Sequence, residues 1–317
     1  MTTYKEIRGT NIEAVASDPS NPVEGQVWYN TTTNVVKGLS NNTGTWASSN
    51  NMNTGRSQLG GAGTQTSALA FGGGPGSKNE TEQYNGTNWT EVNNLNSARA
   101  QLGGAGANNT ACLAFGGFNS ETPQTRADTE LWNGTNWTEV NDLQTARNYI
   151  AGCGTSTAAL GFAGAPNRNE TELWNGTNWT EVNNLNTGRQ QLAGAGATNT
   201  ASLAFGGNTG PGEVTELWNG TNWTEVNNLN TSRRELAGAG TQTAALAFGG
   251  ANSKTNTETW NGTNWTTVGN MGTGRQILAG AGTTTAGLAF GGTPPGGQNA
   301  LTEEFSSGPV TVTFDVS

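Results

Sequence analysis

Three observations in the sequence predict an all-β fold. A motif recurs six times at intervals of 42 to 48 residues, the period of a unit made of four short strands. Asn-Gly pairs separate short alternating segments, and that pairing is a strong hairpin signal. The 317 residues include 48 Gly but also 11 Trp and 9 Phe, too much aromatic surface for a solvating tail. Four antiparallel strands per repeat is the pattern of a β-propeller blade, so six copies predict a six-bladed propeller.

The repeat is registered on a tryptophan: Trp46, Trp89, Trp137, Trp179, Trp223 and Trp265. An arginine follows each by ten residues, at Arg56, Arg99, Arg147, Arg189, Arg233 and Arg275. Fifteen or sixteen residues later comes Phe71, Phe115, Phe162, Phe205, Phe248 or Phe290, followed by Gly-Gly in five copies and by Ala163-Gly164 in the third. Tyr84, Trp132, Trp174, Trp218 and Trp260 each precede the next tryptophan by five residues, and Phe305 holds that place in the last copy.

The fourth copy shows how these marks become strands. Arg189–Gly196 reads as a small-residue first strand, suited to the crowded innermost position. Ala201–Phe205 reads as an apolar second strand and Thr215–Trp218 as an alternating third. Asn219-Gly220 is the hairpin turn, and Asn222–Val226 is the fourth strand. The two aromatics of each copy fit the gaps between blades. Each buries roughly 150–250 Å², which explains how so polar a chain folds.

The ends of the chain complement each other. The last copy lacks its fourth strand, while Gly44–Trp46 is an orphan fourth strand ten residues before Arg56. A sixth blade closed by a strand from each end is therefore expected. Val310–Val316 also alternates and competes for that place, or helps the N-terminal strands start a seventh blade. Residues 1–43 stand outside the repeat, with a hairpin expected over Gln26–Gly38, and residues 44–317 are expected to form the propeller.

The Gly-Gly pair after an apolar strand, the aromatic ten to fifteen residues on and the Trp just beyond it resemble a kelch repeat over residues 45 to about 305. The chain departs from that pattern at Ala163-Gly164 and in using Trp where kelch repeats commonly have Tyr. The string from Asp18 to Thr31, DPSNPVEGQVWYNT, is similar to a segment near the start of tail fibres and appendages of tailed, particularly marine, bacteriophages. The repeated WNGTNWTEV is also like their kelch-type proteins. These resemblances imply a virion surface or tail protein whose N-terminal segment attaches it to other virion proteins and which contacts a host surface glycan or protein. A free-standing propeller lectin is the alternative.

Composition excludes much chemistry. The chain has no histidine, which removes Ser-His-Asp and Cys-His nucleophiles and every His-ligated metal. No cofactor, metal or catalytic residue is expected, and the protein is read as no enzyme. A net charge of −9 repels phosphate backbones, so nucleic acid is not an expected partner. The polar start of the chain lacks a secretion signal, and no apolar run suggests insertion into a membrane. Cys112 and Cys153 each replace a small residue in a repeated strand and are expected to be buried free thiols.

Two residue sets invite a functional reading. The six arginines could form a ring gripping an anion, but each copy also has a glutamate before its third-strand aromatic: Glu82, Glu130, Glu172, Glu216, Glu258, and Glu303 or Glu304. A one-to-one inventory in every copy favours a structural pair. Length variation, by contrast, falls mainly in loops 74–80, 118–128, 165–170, 208–214, 251–256 and 293–301, which alternating strand direction places on one face. The longest, 118–128, carries Phe118, Glu121, Arg126 and Asp128. Its neighbours add Lys78, Asn79, Asn167, Arg168 and Asn169. An exposed aromatic among charged and amide groups is the expected receptor contact.

Overall fold

The computed structural model describes residues 12–208, 210, 212–297 and 299–314. Among them every helix or strand is a strand. The chain separates into two compact units, Met1–Gly44 with Ser307–Ser317, and Thr45–Ser306.

In the smaller unit, Glu13–Val15 runs parallel to Val27–Asn30, which turns back on the start of Val35–Ser49 as an antiparallel hairpin. Asp18 ties the hairpin together. Its carboxylate accepts hydrogen bonds from Lys37 Nζ at 2.8 Å, Asn30 Nδ2 at 2.8 Å and the indole of Trp28 at 3.0 Å. These donors, Lys37 foremost, hold the Asp18 carboxyl down at about 2. Trp28 is fully buried beside it.

The larger unit is a series of four-stranded antiparallel sheets, consistent with a β-propeller. Sheet I is Gly60–Thr64, Ser67–Phe71, Thr81–Tyr84 and Trp89–Val92. Sheet II is Gly103–Asn108, Ala111–Phe115, Thr129–Trp132 and Trp137–Val140. Sheet III is Ala151–Gly154, Ala159–Phe162, Thr171–Trp174 and Trp179–Val182. Sheet IV is Ala193–Thr198, Ala201–Phe205, Thr215–Trp218 and Trp223–Val226. Sheet V is Ala237–Gly240, Ala245–Phe248, Thr257–Trp260 and Trp265–Val268. Sheet VI begins with Ala279–Gly282 and Ala286–Phe290. Its next strand is Thr302–Phe314, and Val35–Ser49 lies beside that one. The first strands of sheets I to VI touch one another in order, and the first strand of VI touches that of I.

The fourth position of sheet VI thus goes to the N-terminal side of the chain. Trp46 stands there as the other tryptophans stand in their sheets, its ring 5.3 Å from Phe305. The competing reading of Val310–Val316 is corrected: residues 310–314 continue the strand that begins at Thr302 rather than making a separate fourth strand. Residues 315–317 lie outside the described residues.

The first strand also starts later than the repeat suggests. In sheet IV it begins at Ala193, because Gln191 has φ of 60° and cannot continue an extended strand. The single-residue length difference falls at the hairpin joining strands one and two. In sheets II and IV the extra residue is taken up as a register shift after Gly106 and Gly196.

Each junction between consecutive sheets repeats one arrangement. The fourth-strand tryptophan sets its ring about 5 Å from the second-strand phenylalanine of the preceding sheet: Trp137 on Phe71, Trp179 on Phe115, Trp223 on Phe162, Trp265 on Phe205. Trp46 on Phe248 and Trp89 on Phe290 complete the series. Each indole N–H then donates to a third-strand threonine of that preceding sheet, at 2.9–3.1 Å: Thr81, Thr129, Thr171, Thr215, Thr257 and Thr302. A half-polar aromatic is buried with its only donor satisfied.

The phenylalanine also explains a glycine. A Cβ on Gly104 would lie 2.8 Å from the Phe71 ring and 2.8 Å from the Gly61 carbonyl, so the adjoining first strands approach only without a side chain. Cys112 and Cys153 are buried free thiols, and burial pushes the Cys153 thiol up to about 12.

Ala163 marks a local flaw. It adopts φ of 62°, where the other five copies place glycine at 63° to 76°. Ala163→Gly is expected to stabilise the protein by about 1 kcal/mol, since an L side chain there is strained. An unchanged or lowered urea midpoint overturns that account. A chain beginning at Asn50 leaves Thr302–Ser306 as an open edge and is expected to aggregate or lose cooperative unfolding. Unaltered melting would show that the strand at 45–49 is dispensable.

Candidate functional site

The six repeated arginines are 0–2% exposed, so they present no guanidinium ring to a ligand. Each pairs with the glutamate on the third strand of its own sheet at 2.8–3.1 Å: Glu82, Glu130, Glu172, Glu216, Glu258 and Glu303. Burial pulls each guanidinium pKa down, and the carboxylate opposes it. The same glutamates accept backbone N–H bonds from the linker entering the sheet, at Asn53, Asn96, Gln144, Asn186, Asn230 and Gly272. In the last copy Glu303 takes this role. Glu304 instead accepts from Tyr84 at 2.6 Å and from Ser49 at 2.9 Å.

The loop residues expected to contact a receptor divide into two groups. Lys78 pairs with Glu80, Arg126 with Asp128, and Arg168 with Glu170. Asp128 also lies 3.5 Å from the buried Arg99. The backbone carbonyls of Lys78, Arg126 and Arg168 accept from Arg99, Arg147 and Arg189 of the next copy. Asn79 and Asn169 donate to the Leu95 and Leu185 carbonyls at 3.3 Å. These residues brace loops against the sheets. Glu121 and Asn167 are exposed. Phe118 is a correction: it is half-buried rather than exposed, and its backbone pairs with Ala100 and Thr125. Thr209, Pro211 and Gln298 of the shorter loops lie outside the described residues.

The structure brings together a set that sequence reasoning missed. Gln58, Gln101, Tyr149, Gln191, Glu235 and Ile277 each stand two residues after a repeated arginine. All six have φ between 49° and 60°. An isoleucine in that region is a genuine outlier. Their backbones bond in sequence: Gln101 N–H to Gln58 C=O, Tyr149 to Gln101, Glu235 to Gln191, Ile277 to Glu235, and Gln58 to Ile277, at 2.8–2.9 Å. Together they surround a cavity of about 110 Å³ floored by Leu59, Leu102, Ile150, Leu192, Leu236 and Leu278. The mouth opens where strand one begins and strand two ends, the end that carries the variable loops.

Side chains at this mouth interact. Gln191 Nε2 donates to Glu235 at 3.0 Å, and Gln101 Nε2 to Gln58 at 3.3 Å. Burial raises the Glu235 carboxyl, with Arg234 opposing it. Burial, and then the Glu235 charge, raise the Tyr149 phenol. The available signal was substitution rather than length: Gln, Gln, Tyr, Gln, Glu, Ile at one position between a constant arginine and a constant aliphatic residue. Non-glycine residues held left-handed cluster at ligand-binding sites.

Among the described residues no group of three or more His, Cys, Asp and Glu is placed to hold a metal ion. No protein-family model matches the chain, and no curated protein matches it.

The two glutamates of the last copy separate structural pair from peripheral contact. Glu303→Gln should destabilise by about 3–5 kcal/mol, because it leaves Arg275 charged, buried and unpaired. Glu304→Gln, which keeps an acceptor for Tyr84 and Ser49, should cost about 1 kcal/mol or less. Equal losses in chemical denaturation would refute the distinction.

Proposed function

We propose that the protein is a non-enzymatic structural component of a bacteriophage virion, a tail fibre or appendage that contacts the host surface. In this reading the six sheets are the blades of a closed kelch-like propeller, with the N-terminal segment joining it to other virion proteins. The observation that carries the proposal is the division of labour in the repeat. Buried arginine, glutamate, tryptophan and phenylalanine recur in every copy, whereas the mouth position carries Gln in three copies and Tyr, Glu and Ile in the others, and the adjoining loops differ in length and sequence. Sequence diversity gathered at one end of a repeated scaffold is how recognition surfaces are built. The Asp18–Thr31 string supplies the link to a virion, by its similarity to phage tail proteins.

A lectin acting outside any particle is the second reading, favoured by an uncharged cleft at the same end, lined by Gln58, Pro75, Gln101 and Phe118 among others. Mass spectrometry of purified particles decides between them. The virion reading expects this chain at fixed stoichiometry, with antibodies against loop 118–128 slowing adsorption to cells. A chain absent from particles and recovered free overturns it and selects the lectin.

A further inference from the structure

We propose that the cleft between sheets I and II binds one ring of a neutral saccharide. The inference deepens the host-contact reading and rests on it for the source of the sugar. The cleft holds about 270 Å³, and none of its lining residues is charged. That is just under the range of about 300–1,000 Å³ typical of sites for drug-sized ligands, and suits a single ring.

Its chemistry is mixed in the way a pyranose requires. Phe118 and Pro75 supply apolar surface for the C–H face of a sugar. Gln58, Gln101, Ser77 and Ser120 supply amides and hydroxyls that both donate and accept. The rim is already fixed: Ser77 Oγ lies 3.1 Å from the Phe118 carbonyl and 3.1 Å from Ser120 Oγ, and the Ser120 N–H donates to Ser77 Oγ at 2.7 Å. Backbone bonds between Ala100 and Phe118 hold the base of the loop. A ligand therefore meets positioned groups and pays little to order them.

An equivalent cleft of about 180 Å³ lies between sheets IV and V, but Arg233, Arg234 and Lys254 line it and Ala251 takes the place of Phe118. The residues equivalent to Phe118 in the other copies are Gly74, Ala165, Asn208, Ala251 and Thr293, so at this position the second copy alone carries an aromatic. Since the scaffold repeats without it, the ring is not a requirement of the fold. Gln58 and Gln101 belong to both the cleft and the mouth, which lets a longer glycan run from one toward the other.

Saturation-transfer NMR on the full chain tests this, with methyl glucoside, methyl galactoside and methyl N-acetylglucosaminide as probes and methyl glucuronide as the charged comparator. At least one neutral glycoside should bind, and Phe118→Ala should weaken it about tenfold, the loss of one stacking contact. Phe118→Leu keeps apolar volume without the ring face and decides the matter if the alanine variant unfolds: it should bind at least several-fold more weakly while melting near the parent. Binding of glucuronide alone, binding of no neutral glycoside, or unchanged binding by the folded variants overturns the cleft. Particle composition reads the other proposal separately, because a chain absent from virions that still loses sugar with Phe118→Ala defeats the virion reading and leaves the cleft standing.

Discussion

The buried arginine–glutamate pair is the interaction on which the rest of this structure depends. Arg147 shows its reach: one guanidinium nitrogen meets Glu172 at 2.8 Å, while another donates to the carbonyls of Ala163 and Glu170. Glu172 in turn holds the linker N–H groups of Gln144 and Thr145. One pair therefore fixes the entry of the chain into a sheet, the end of its second strand and the start of its third. Replacing such a pair by apolar residues is often neutral in stability, so its value here is geometric. A linker set at the same angle six times is what lets successive sheets face each other in register.

That geometry creates the aromatic junctions. With the linkers fixed, each fourth-strand tryptophan arrives over the preceding phenylalanine and reaches a threonine hydroxyl with its N–H. The contact contributes on the order of 0.5–1.5 kcal/mol beyond area burial, and its repetition compensates for a chain that is only 32% hydrophobic. Trp46 lies outside the internal copies yet makes the same bond to Thr257. The place of Trp46 in sheet VI is thus set by chemistry, not by sequence order. Small first-strand residues complete the arrangement, because the phenylalanine rings occupy the space that their side chains would fill.

Much of this was legible because the repeat samples each position six times. A residue present in every copy, such as the arginine with its glutamate, declares a requirement of the fold without any structure. The make-up of sheet VI was legible from an orphan tryptophan and a missing one. The choice between Glu303 and Glu304 was missed although the spacing carries it: every paired glutamate stands two residues before its third-strand aromatic, as Glu303 does before Phe305. The mouth, by contrast, was hidden. A left-handed φ at glutamine, tyrosine, glutamate or isoleucine has no compositional mark, and a small-residue run beginning at an arginine reads as continuous strand. Loop charges misled in the opposite sense. Arg126 and Asp128 suggest a contact surface, but two residues apart at a loop end they meet each other first.

The strained mouth sharpens the division between scaffold and site. Holding six non-glycine residues left-handed costs about 1–3 kcal/mol each, and glycine at those positions would remove most of it. Glycine is freely used elsewhere in this chain, yet at this position it does not appear. The backbone path is imposed by the buried arginine two residues before and the buried aliphatic residue just after, and it is sealed by the bonds passing from one copy to the next. The side chain alone remains free to vary. A scaffold that tolerates strain in order to place glutamine, tyrosine, glutamate and isoleucine around one opening keeps there what packing does not require. That surplus, rather than the buried and repeated core, is where selection for a ligand would act.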